Sequence, residues 1–151
     1  MHGVEKRPSW DEYFMMMAKD VVAKRATCPR RQVGAVLVRD KRIITTGYNG
    51  SPSGMPHCTE VGCRLHEGHC IRAIHAEQNA IVQAALYGVS TRGATCYVTA
   101  APCVTCANLL VAAGIVRVVY GEEYTNRLGE QVLLEAGVKL ERFPFAESHE
   151  E

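Results

Sequence analysis

A three-layer α/β/α domain is the fold that this sequence predicts, and two observations carry the prediction. In the N-terminal part, a polar turn at residues 39–42 separates two runs rich in apolar and β-branched residues, which is typical of a β-hairpin. In the C-terminal half, strand-like runs alternate with segments of helical period, which indicates parallel strands joined by right-handed crossovers. Such a sheet is covered by helices on both faces, which gives three layers.

Length and composition fit one such domain. The chain has 151 residues, 47% hydrophobic and 22% charged, which is enough to bury a core. We expect a single domain over residues 1–151, with its core at about 9–142. A formal net charge of +1 gives no overall field for nucleic acid or an anionic membrane, no apolar run approaches the roughly 18 residues of a membrane span, and the N-terminus lacks the apolar segment of a signal peptide. These features favour a cytoplasmic protein with neither a membrane nor a nucleic acid as partner.

The first helix and the hairpin are predicted by local signals. Ser9 followed by Glu12 is the pattern of a capping box, and apolar residues then recur at helical spacing to about Thr27. The two strands of the hairpin follow at 33–38 and 43–48.

A long segment from Asn49 to Arg72 is rich in Gly, Pro, Cys and His and has no period. Such long loops are uncommon in compact domains and usually have a function. Beyond it, apolar periodicity and glycine stops predict helices over 76–86, 103–113 and 128–136, and strands over 94–99, 115–120 and 138–143.

Two short motifs combine the chemistry of a catalytic metal site. His75 and Glu77 stand at the start of one predicted helix, and Cys103 and Cys106 stand at the start of the next. Two thiolates one helical turn apart and one imidazole are three zinc ligands, which leaves a fourth position for a water whose pKa the metal lowers. Glu77 can take the proton of that water, pass it to a ring nitrogen and then protonate a leaving amine. The pattern H-x-E with P-C-x-x-C is the known signature of zinc deaminases that act on nucleobases.

A redox dithiol and a structural zinc site are the alternatives to a catalytic zinc site. A lone C-x-x-C also occurs in redox dithiols and in structural zinc sites. A thioredoxin-like dithiol needs neither His75 nor Glu77, and a closed structural site needs a fourth protein ligand close by. The four residues together therefore favour a catalytic zinc.

The segments that carry these motifs resemble a known family. HAEQNAI and CYVTAAPCVTCANLLVAAGI resemble the cytidine deaminase superfamily, and specifically the deoxycytidylate (dCMP) deaminases. VGAVLVRDKRIITTGYNGSPSG is similar to the family's first hairpin and substrate loop, and HC followed by IRAIHAE resembles its bacterial members, including the late-competence group. The resemblance spans about Ser9 to Arg142.

The resemblance implies a fold, an activity and a set of partners. The fold is the three-layer cytidine deaminase-like α/β fold with a five-stranded mixed sheet. The activity is the zinc-dependent hydrolytic deamination of dCMP to dUMP and ammonia. The implied assembly is a homo-oligomer, often a hexamer, activated by dCTP and inhibited by dTTP, with Mg²⁺ accompanying the triphosphate.

Carried over by residue, the resemblance assigns the zinc to His75, Cys103 and Cys106 and the proton transfer to Glu77. It assigns substrate binding to three further residues: Asn49 at the sugar, Tyr124 at the phosphate or sugar, and Ala76 in the substrate pocket. The alternative for Asn49 is that its Gly-Tyr-Asn-Gly segment only closes a strand with a turn. One departure is visible, since Ala100 and Ala101 stand where relatives often carry a bulkier residue before proline, which predicts a looser pocket wall beside the base.

A second, structural zinc is predicted in the N-terminal half. The four cysteines there equal one tetrahedral set and would pin the long loop against the domain: Cys28, Cys58, Cys63 and Cys70. The resemblance agrees, because several phage and bacterial members have a structural zinc in this region. Three histidines compete for the same positions, namely His57, His66 and His69, and free thiols are the alternative. Cys96 lies on a predicted strand and is expected to be core.

The phosphate of dCMP needs local cations, and we hypothesise a contribution from the four that flank Cys28: Lys24, Arg25, Arg30 and Arg31. A tRNA-adenosine deaminase is the nearest rival function, but it should display a basic stripe. A free cytidine or guanine deaminase is less favoured by the loop sequence. A zinc-binding interaction module without catalysis would gain nothing from Glu77.

Overall fold

A computed structural model of the chain describes residues 6–124 and 126–145. The helices are α1 (Trp10–Met16), α2 (Cys58–Val61), α3 (Ala76–Leu86), α4 (Val104–Ala112) and α5 (Leu128–Glu135). The strands are β1 (Gly34–Arg39), β2 (Arg42–Tyr48), β3 (Leu65–His66), β4 (His69–Cys70), β5 (Thr95–Ala100), β6 (Arg117–Glu122) and β7 (Lys139–Arg142). None of the helices in this part of the chain combines the length and the apolarity that crossing a membrane requires.

Five strands form one mixed sheet in the order β2-β1-β5-β6-β7, which confirms the predicted fold class. Strand β1 runs antiparallel to both β2 and β5, whereas β5, β6 and β7 are parallel. The hairpin turn places Asp40 and Lys41 at φ values of 53° and 59°, the left-handed pair that a tight two-residue turn requires. Because the parallel strands point the same way, the loops that follow β5 and β6 leave the same edge of the sheet.

The core lies on both faces of this sheet. On one face, Phe14 of α1 packs with Val36 of β1. On the other face, Leu110 of α4 and Leu133 of α5 pack with Leu37, the next residue of β1. The alternation of Val36 and Leu37 is the period of a strand buried on both sides, so three layers result.

The first helix has the predicted capping box. The Ser9 hydroxyl accepts a hydrogen bond from the Glu12 N–H at 3.1 Å, and the Glu12 carboxylate accepts one from the Ser9 N–H at 3.4 Å. Beyond α1 the helix widens into a π-helical segment at Met17–Val22 and ends in a 3₁₀ turn at Ala23–Arg25. Apolar periodicity did not predict this widening, because the spacing of apolar residues indicates which face of a helix is buried and not which backbone hydrogen bonds the helix forms.

The segment predicted as an aperiodic loop contains small elements. It holds α2 and a two-stranded hairpin of β3 and β4, in which Leu65 pairs with Cys70 and His66 with His69. Glu67 and Gly68 form its turn with φ values of 49° and 80°. The long loop therefore holds short elements that were not predicted, because strands of two residues are too short to show a period in the sequence.

A polar network ties α1 to the amino-terminal ends of β5 and β6. The Arg117 guanidinium donates to Asp11 and to Glu141, both at 2.7 Å, and the Tyr97 hydroxyl donates to Asp11 at 2.6 Å. The Arg117 hydrogen bonds hold the pKa values of both the Asp11 and the Glu141 carboxyls below their usual range. The network therefore fastens the first helix to the sheet while the carboxylates are ionised.

Candidate metal centre and substrate cavity

Two helix N-termini bring the predicted zinc ligands together. His75 is the N-cap of α3, and Cys103 is the N-cap of α4, where its sulfur accepts the Cys106 N–H at 3.5 Å. Cys106 lies in the first turn of α4 and is fully buried. Both helix ends carry partial positive charge, which favours thiolates.

The distances between the three side chains fit one metal ion. The Nδ1 atom of His75 lies 3.2 Å from the Cys106 sulfur and 3.5 Å from the Cys103 sulfur. All three ligand atoms lie within 4.8 Å of one another. Zinc with bonds of about 2.0 Å to nitrogen and 2.3 Å to sulfur separates such ligands by about 3.5 Å in a tetrahedron. The trio of His75, Cys103 and Cys106 therefore suits zinc, with Nδ1 as the imidazole ligand.

Within the trio, the protonation state of Cys103 favours metal binding, whereas the hydrogen bond to Cys103 raises the pKa of His75. The hydrogen bond from the Cys106 thiol, aided by His75 and opposed by burial, lowers the pKa of Cys103 to about 4. The same shared hydrogen bond, together with burial, raises the pKa of Cys106. Cys103 is thus a thiolate at neutral pH, which is the form that binds zinc.

Glu77 is buried beside this trio. The residue is 4% exposed, and burial is the main cause that raises the pKa of its carboxyl, while His75 opposes the rise. Its carboxylate is also within hydrogen-bonding reach of the Cys106 side chain. A raised pKa makes a buried carboxyl group a better proton acceptor, which suits a group that takes a proton and then releases it.

His75, Cys103 and Glu77 line one cavity of about 390 Å³, whereas Cys106 is buried and does not line it. All three residues predicted to bind substrate line it: Asn49, Ala76 and Tyr124. Ala100 and Ala101 line it as well, so the small side chains noted in the sequence do form part of the wall.

The four candidate phosphate-binding cations separate into two groups. Arg30 and Arg31 line the cavity. Lys24 lines a neighbouring cleft of about 170 Å³, and the guanidinium of Arg25 lies 5.8 Å from the centre of the Tyr48 ring. The structure therefore places only Arg30 and Arg31 at the cavity.

Asn49 makes structural hydrogen bonds in this cavity wall. Its Oδ1 accepts the Val33 N–H and its Nδ2 donates to the Arg31 carbonyl, both at 2.7 Å. The amide therefore clamps the backbone just before β1. A primary amide still has a second N–H and a second lone pair, so contact with a sugar hydroxyl stays compatible with these bonds.

A second cluster of ligands lies in the long loop. The sulfurs of Cys58, Cys63 and Cys70 are within 4.8 Å of one another, and Cys58 and Cys70 are 3.7 Å apart. Zinc–sulfur bonds of about 2.3 Å give a tetrahedron edge of about 3.8 Å, so these thiols suit zinc. Cys28 is buried and lines the cavity together with Cys70, but its sulfur lies outside this 4.8 Å group.

The three competing histidines are outside that group too. The Nδ1 atom of His57 is buried without a hydrogen-bond partner among the described residues, and its Nε2 lies 3.6 Å from the Glu60 carboxylate. His66 pairs with His69 across the β3–β4 hairpin, and His69 lines the cavity.

Sequence reasoning missed two features of the site. Gln78 accepts the backbone N–H of His75 at 2.9 Å and so fixes the N-cap that carries a zinc ligand. A glutamine three residues after an N-cap is a capping pattern that could have revealed it. The second feature is the wall of the cavity formed by Gly68, His69, Cys70, Ala73 and Ile74, which no local pattern indicates.

Comparison with known proteins gives consistent similarities. The family described as "Cytidine and deoxycytidylate deaminase zinc-binding region" matches residues 8–122. ComE operon protein 2 of Bacillus subtilis is 47% identical over 138 residues, which are 91% of this chain and 72% of that protein. Deoxycytidylate deaminase of Saccharomyces cerevisiae is 41% identical over 150 residues, covering 93% of this chain but only 47% of the yeast protein. The crystal structure of the dCMP deaminase from cyanophage S-TIM5, in complex with dCMP and dUMP, is similar with a TM-score of 0.81 at 33% identity, covering 92% of this chain and 100% of that one.

Proposed function

The chain belongs to the cytidine and deoxycytidylate deaminase family, and from this premise we propose that it converts dCMP to dUMP and ammonia by hydrolysis. The observation that carries the proposal is the buried Glu77 carboxyl beside His75, Cys103 and Cys106 at one cavity. A structural metal site gains nothing from such a carboxyl group. The relatives named as deoxycytidylate deaminases, and the cyanophage complex with dCMP and dUMP, support the choice of substrate.

In this proposal, the metal is held by the His75 Nδ1 and by the sulfurs of Cys103 and Cys106. A zinc ion bound there would supply a nucleophile near neutral pH, because zinc lowers the pKa of a water molecule that it binds. The Gln78 side chain holds the backbone of His75, and the α4 N-terminus holds Cys103. These contacts fix the ligands before the substrate arrives.

Glu77 carries the protons of the reaction. Its carboxylate would accept a proton from water as the water oxygen bonds to C4 of cytosine, and would pass that proton to N3. It would then take the proton of the new C4 hydroxyl group and deliver it to the 4-amino group, so that the C4–N bond breaks, C4=O forms and ammonia leaves. The site keeps the carboxylate away from bulk solvent, so its proton passes to the substrate.

The remaining cavity residues bind the nucleotide. The phosphate meets Arg30 and Arg31, the sugar meets the free bonding capacity of Asn49, and Tyr124 closes the wall beside it. Ala76, Ala100 and Ala101 leave room for the pyrimidine ring. This pairing of a cationic part with a part lined by alanines suits a nucleoside monophosphate better than a nucleic acid.

The proposal extends to a second zinc in the loop, held by Cys58, Cys63 and Cys70, with the nearby Cys28 as the candidate fourth ligand. None of the seven cysteines, all of which lie within the described residues, forms a disulfide, which supports the proposal of a reducing, cytoplasmic compartment. We also propose one deaminase domain, with its core at about residues 9–142.

The proposal includes regulation, with dCTP and Mg²⁺ as activator and dTTP as inhibitor. Titrating the enzyme with each triphosphate at subsaturating dCMP tests this regulation, and an unchanged rate contradicts it.

A homo-oligomer, with a hexamer as the family suggests, completes the proposal. The solvent-facing sides of α3 and α4 support it, because Glu77 is the only charged residue of either helix and it is buried. Leu86 and Tyr87 at the end of α3 are 69% and 76% exposed. A surface with few charged residues and with exposed apolar side chains is typical of subunit interfaces. The variant Leu86→Lys should lower the mass measured by light scattering, and an unchanged mass contradicts this interface.

Release of ammonia tests the activity. The protein is incubated with dCMP, deoxycytidine, dCTP and a tRNA anticodon stem, and the initial rates are compared. We expect dCMP to have the highest kcat/KM. A higher value for the tRNA stem would overturn the proposed substrate, while the Glu77→Gln protein shows the background rate.

A further inference from the structure

The segment that carries the second thiol cluster also forms one wall of the substrate cavity. Gly68, His69 and Cys70 line the cavity together with His75 and Glu77. Cys70 thus belongs to both sites: its sulfur is 3.7 Å from that of Cys58, and its residue borders the space where the nucleotide binds.

Few hydrogen bonds join this wall to the rest of the domain, since those that Ile71 and Arg72 donate to the Arg64 and Gly62 carbonyls, at 2.8 and 3.1 Å, lie within the loop itself. Its hairpin has strands of only two residues, and isolated hairpins are marginally stable even when longer. One end is fixed by the paired hydrogen bonds between Gly50 and Ile74, at 3.1 and 2.8 Å. At the tip, the Gly68 carbonyl accepts a hydrogen bond from Arg30 at 3.5 Å, which is long.

The catalytic groups are held differently. His75, Glu77, Cys103 and Cys106 belong to α3 and α4 or cap them, and these helices pack on the main sheet. Movement of the hairpin would therefore leave the reacting groups in place while it removed part of the surface that meets the nucleotide.

We infer that Cys58, Cys63 and Cys70 are positioning residues for nucleotide binding: zinc held by these thiols fixes the β3–β4 hairpin as a wall of the substrate cavity. Without that metal the hairpin must be ordered when the nucleotide binds, and each residue ordered costs conformational entropy. The affinity for nucleotide then falls, whereas kcat at saturation is kept. The inference rests on the proposed function, since it takes a pyrimidine nucleotide as the ligand.

The experiment compares four purified proteins: wild type, Cys63→Ser, Cys63→His and the control His66→Ala. Cys63 is chosen because it is less buried than Cys58, and His66 because it lies on the same hairpin but does not line the cavity. For each protein we measure zinc per chain, the dissociation constant of dUMP by calorimetry, and KM and kcat for dCMP. Hydrogen exchange of residues 65–74 reports the order of the wall without any nucleotide.

For Cys63→Ser we expect one zinc fewer than wild type, faster exchange over 65–74, and about tenfold higher dUMP dissociation constant and KM, with kcat within about twofold. A tenfold change in the dissociation constant corresponds to about 1.4 kcal/mol. Histidine can replace a cysteine as a zinc ligand, so Cys63→His should restore zinc and affinity together, and His66→Ala should match wild type.

Two results would overturn the inference. One is unchanged dUMP affinity in Cys63→Ser despite the loss of one zinc, which would leave the thiols with a purely structural role. The other is an unchanged zinc count in that protein. If wild type itself binds no dUMP and releases no ammonia from dCMP, the proposed function fails first, and the inference falls with it.

Discussion

The two thiol clusters of this molecule use the same ligand chemistry on different scaffolds. His75, Cys103 and Cys106 are placed by helices of eleven and nine residues that pack on a five-stranded sheet. Cys58 lies on a four-residue helix, Cys70 on a strand of two residues, and Cys63 on the connection between that helix and the hairpin. The first scaffold holds its shape through burial of a core. In the second scaffold, the contacts between the thiols supply much of the packing of the segment, so a metal bound there would mainly stabilise the structure of the loop.

The neighbours of the clusters differ as much as their scaffolds. The first has Glu77 beside it, a carboxyl group kept dry and with a raised pKa. In the second, burial raises the pKa of Cys58 to about 12, and backbone N–H groups offset burial to lower that of Cys70 to about 7. The first cluster therefore combines metal ligands with a buried carboxyl group that can move protons.

The strongest test of this difference removes the proton carrier alone. Glu77→Gln keeps the shape of the side chain but cannot accept a proton, so kcat for dCMP should fall by about 100- to 10,000-fold. Zinc per chain should stay at the wild-type value, because Glu77 is not a ligand in the proposed site. Ammonia release and metal analysis on the same preparation measure both, and near-wild-type turnover would contradict the role given to Glu77.

The second test removes one buried ligand of the loop cluster. Cys58→Ser should lose one zinc per chain and lower Tm by about 5–10 °C, since each 1 kcal/mol lost lowers Tm by about 2–4 °C in a domain of this size. The matched variant Cys106→Ser should instead lose the zinc that supports turnover. If both variants lost activity at saturating dCMP to the same extent, the division between a catalytic and a structural cluster would be wrong.

A third test concerns Asn49, which stands between a structural and a substrate-binding role. Asn49→Ala removes the hydrogen bonds to Val33 and Arg31, so the free energy of unfolding should fall by about 1–3 kcal/mol. If Asn49 also contacts the sugar, KM for dCMP should rise as well. Chemical denaturation and steady-state kinetics separate the two effects, and a wild-type KM in a destabilised protein would assign Asn49 to structure alone.

The smallest expected effect lies away from both clusters, in the network of Asp11, Arg117 and Glu141. The folded state lowers the carboxyl pKa values, so their contribution to stability is present above the unfolded values of about 3.9 and 4.3 and is lost as pH falls through the folded ones. Asp11→Asn should therefore reduce the free energy of unfolding by up to about 1 kcal/mol at pH 7, a modest figure because the groups are partly solvated. The difference from wild type should shrink below about pH 4. A difference that grows towards acid pH would contradict this account, and neither zinc nor kcat should change.

The accuracy of the sequence predictions depends on the length of the elements. The strands of the main sheet and the helices α3, α4 and α5 show clear periods, and their predicted bounds lie within two residues of the observed ones. The first helix, predicted to about Thr27, is α-helical only to Met16. The small hairpin at Leu65–Cys70 could not be predicted, because it depends on a turn and on contacts with residues distant in sequence. The same holds for the π-helical segment at Met17–Val22.

The sequence by itself determined the fold class and the chemical character of the metal centre, because helical and strand periods and the spacing of His75, Glu77, Cys103 and Cys106 are local properties of the chain. Only the tertiary structure decided which residues share the cavity. It placed Arg30 and Arg31 at the cavity and Lys24 at another cleft. It also placed the Asn49 side-chain oxygen and nitrogen in hydrogen bonds to the backbone, and Cys70 in both the thiol cluster and the cavity wall. These juxtapositions join segments far apart in sequence, and packing and long-range hydrogen bonds fix them, neither of which leaves a period in the sequence.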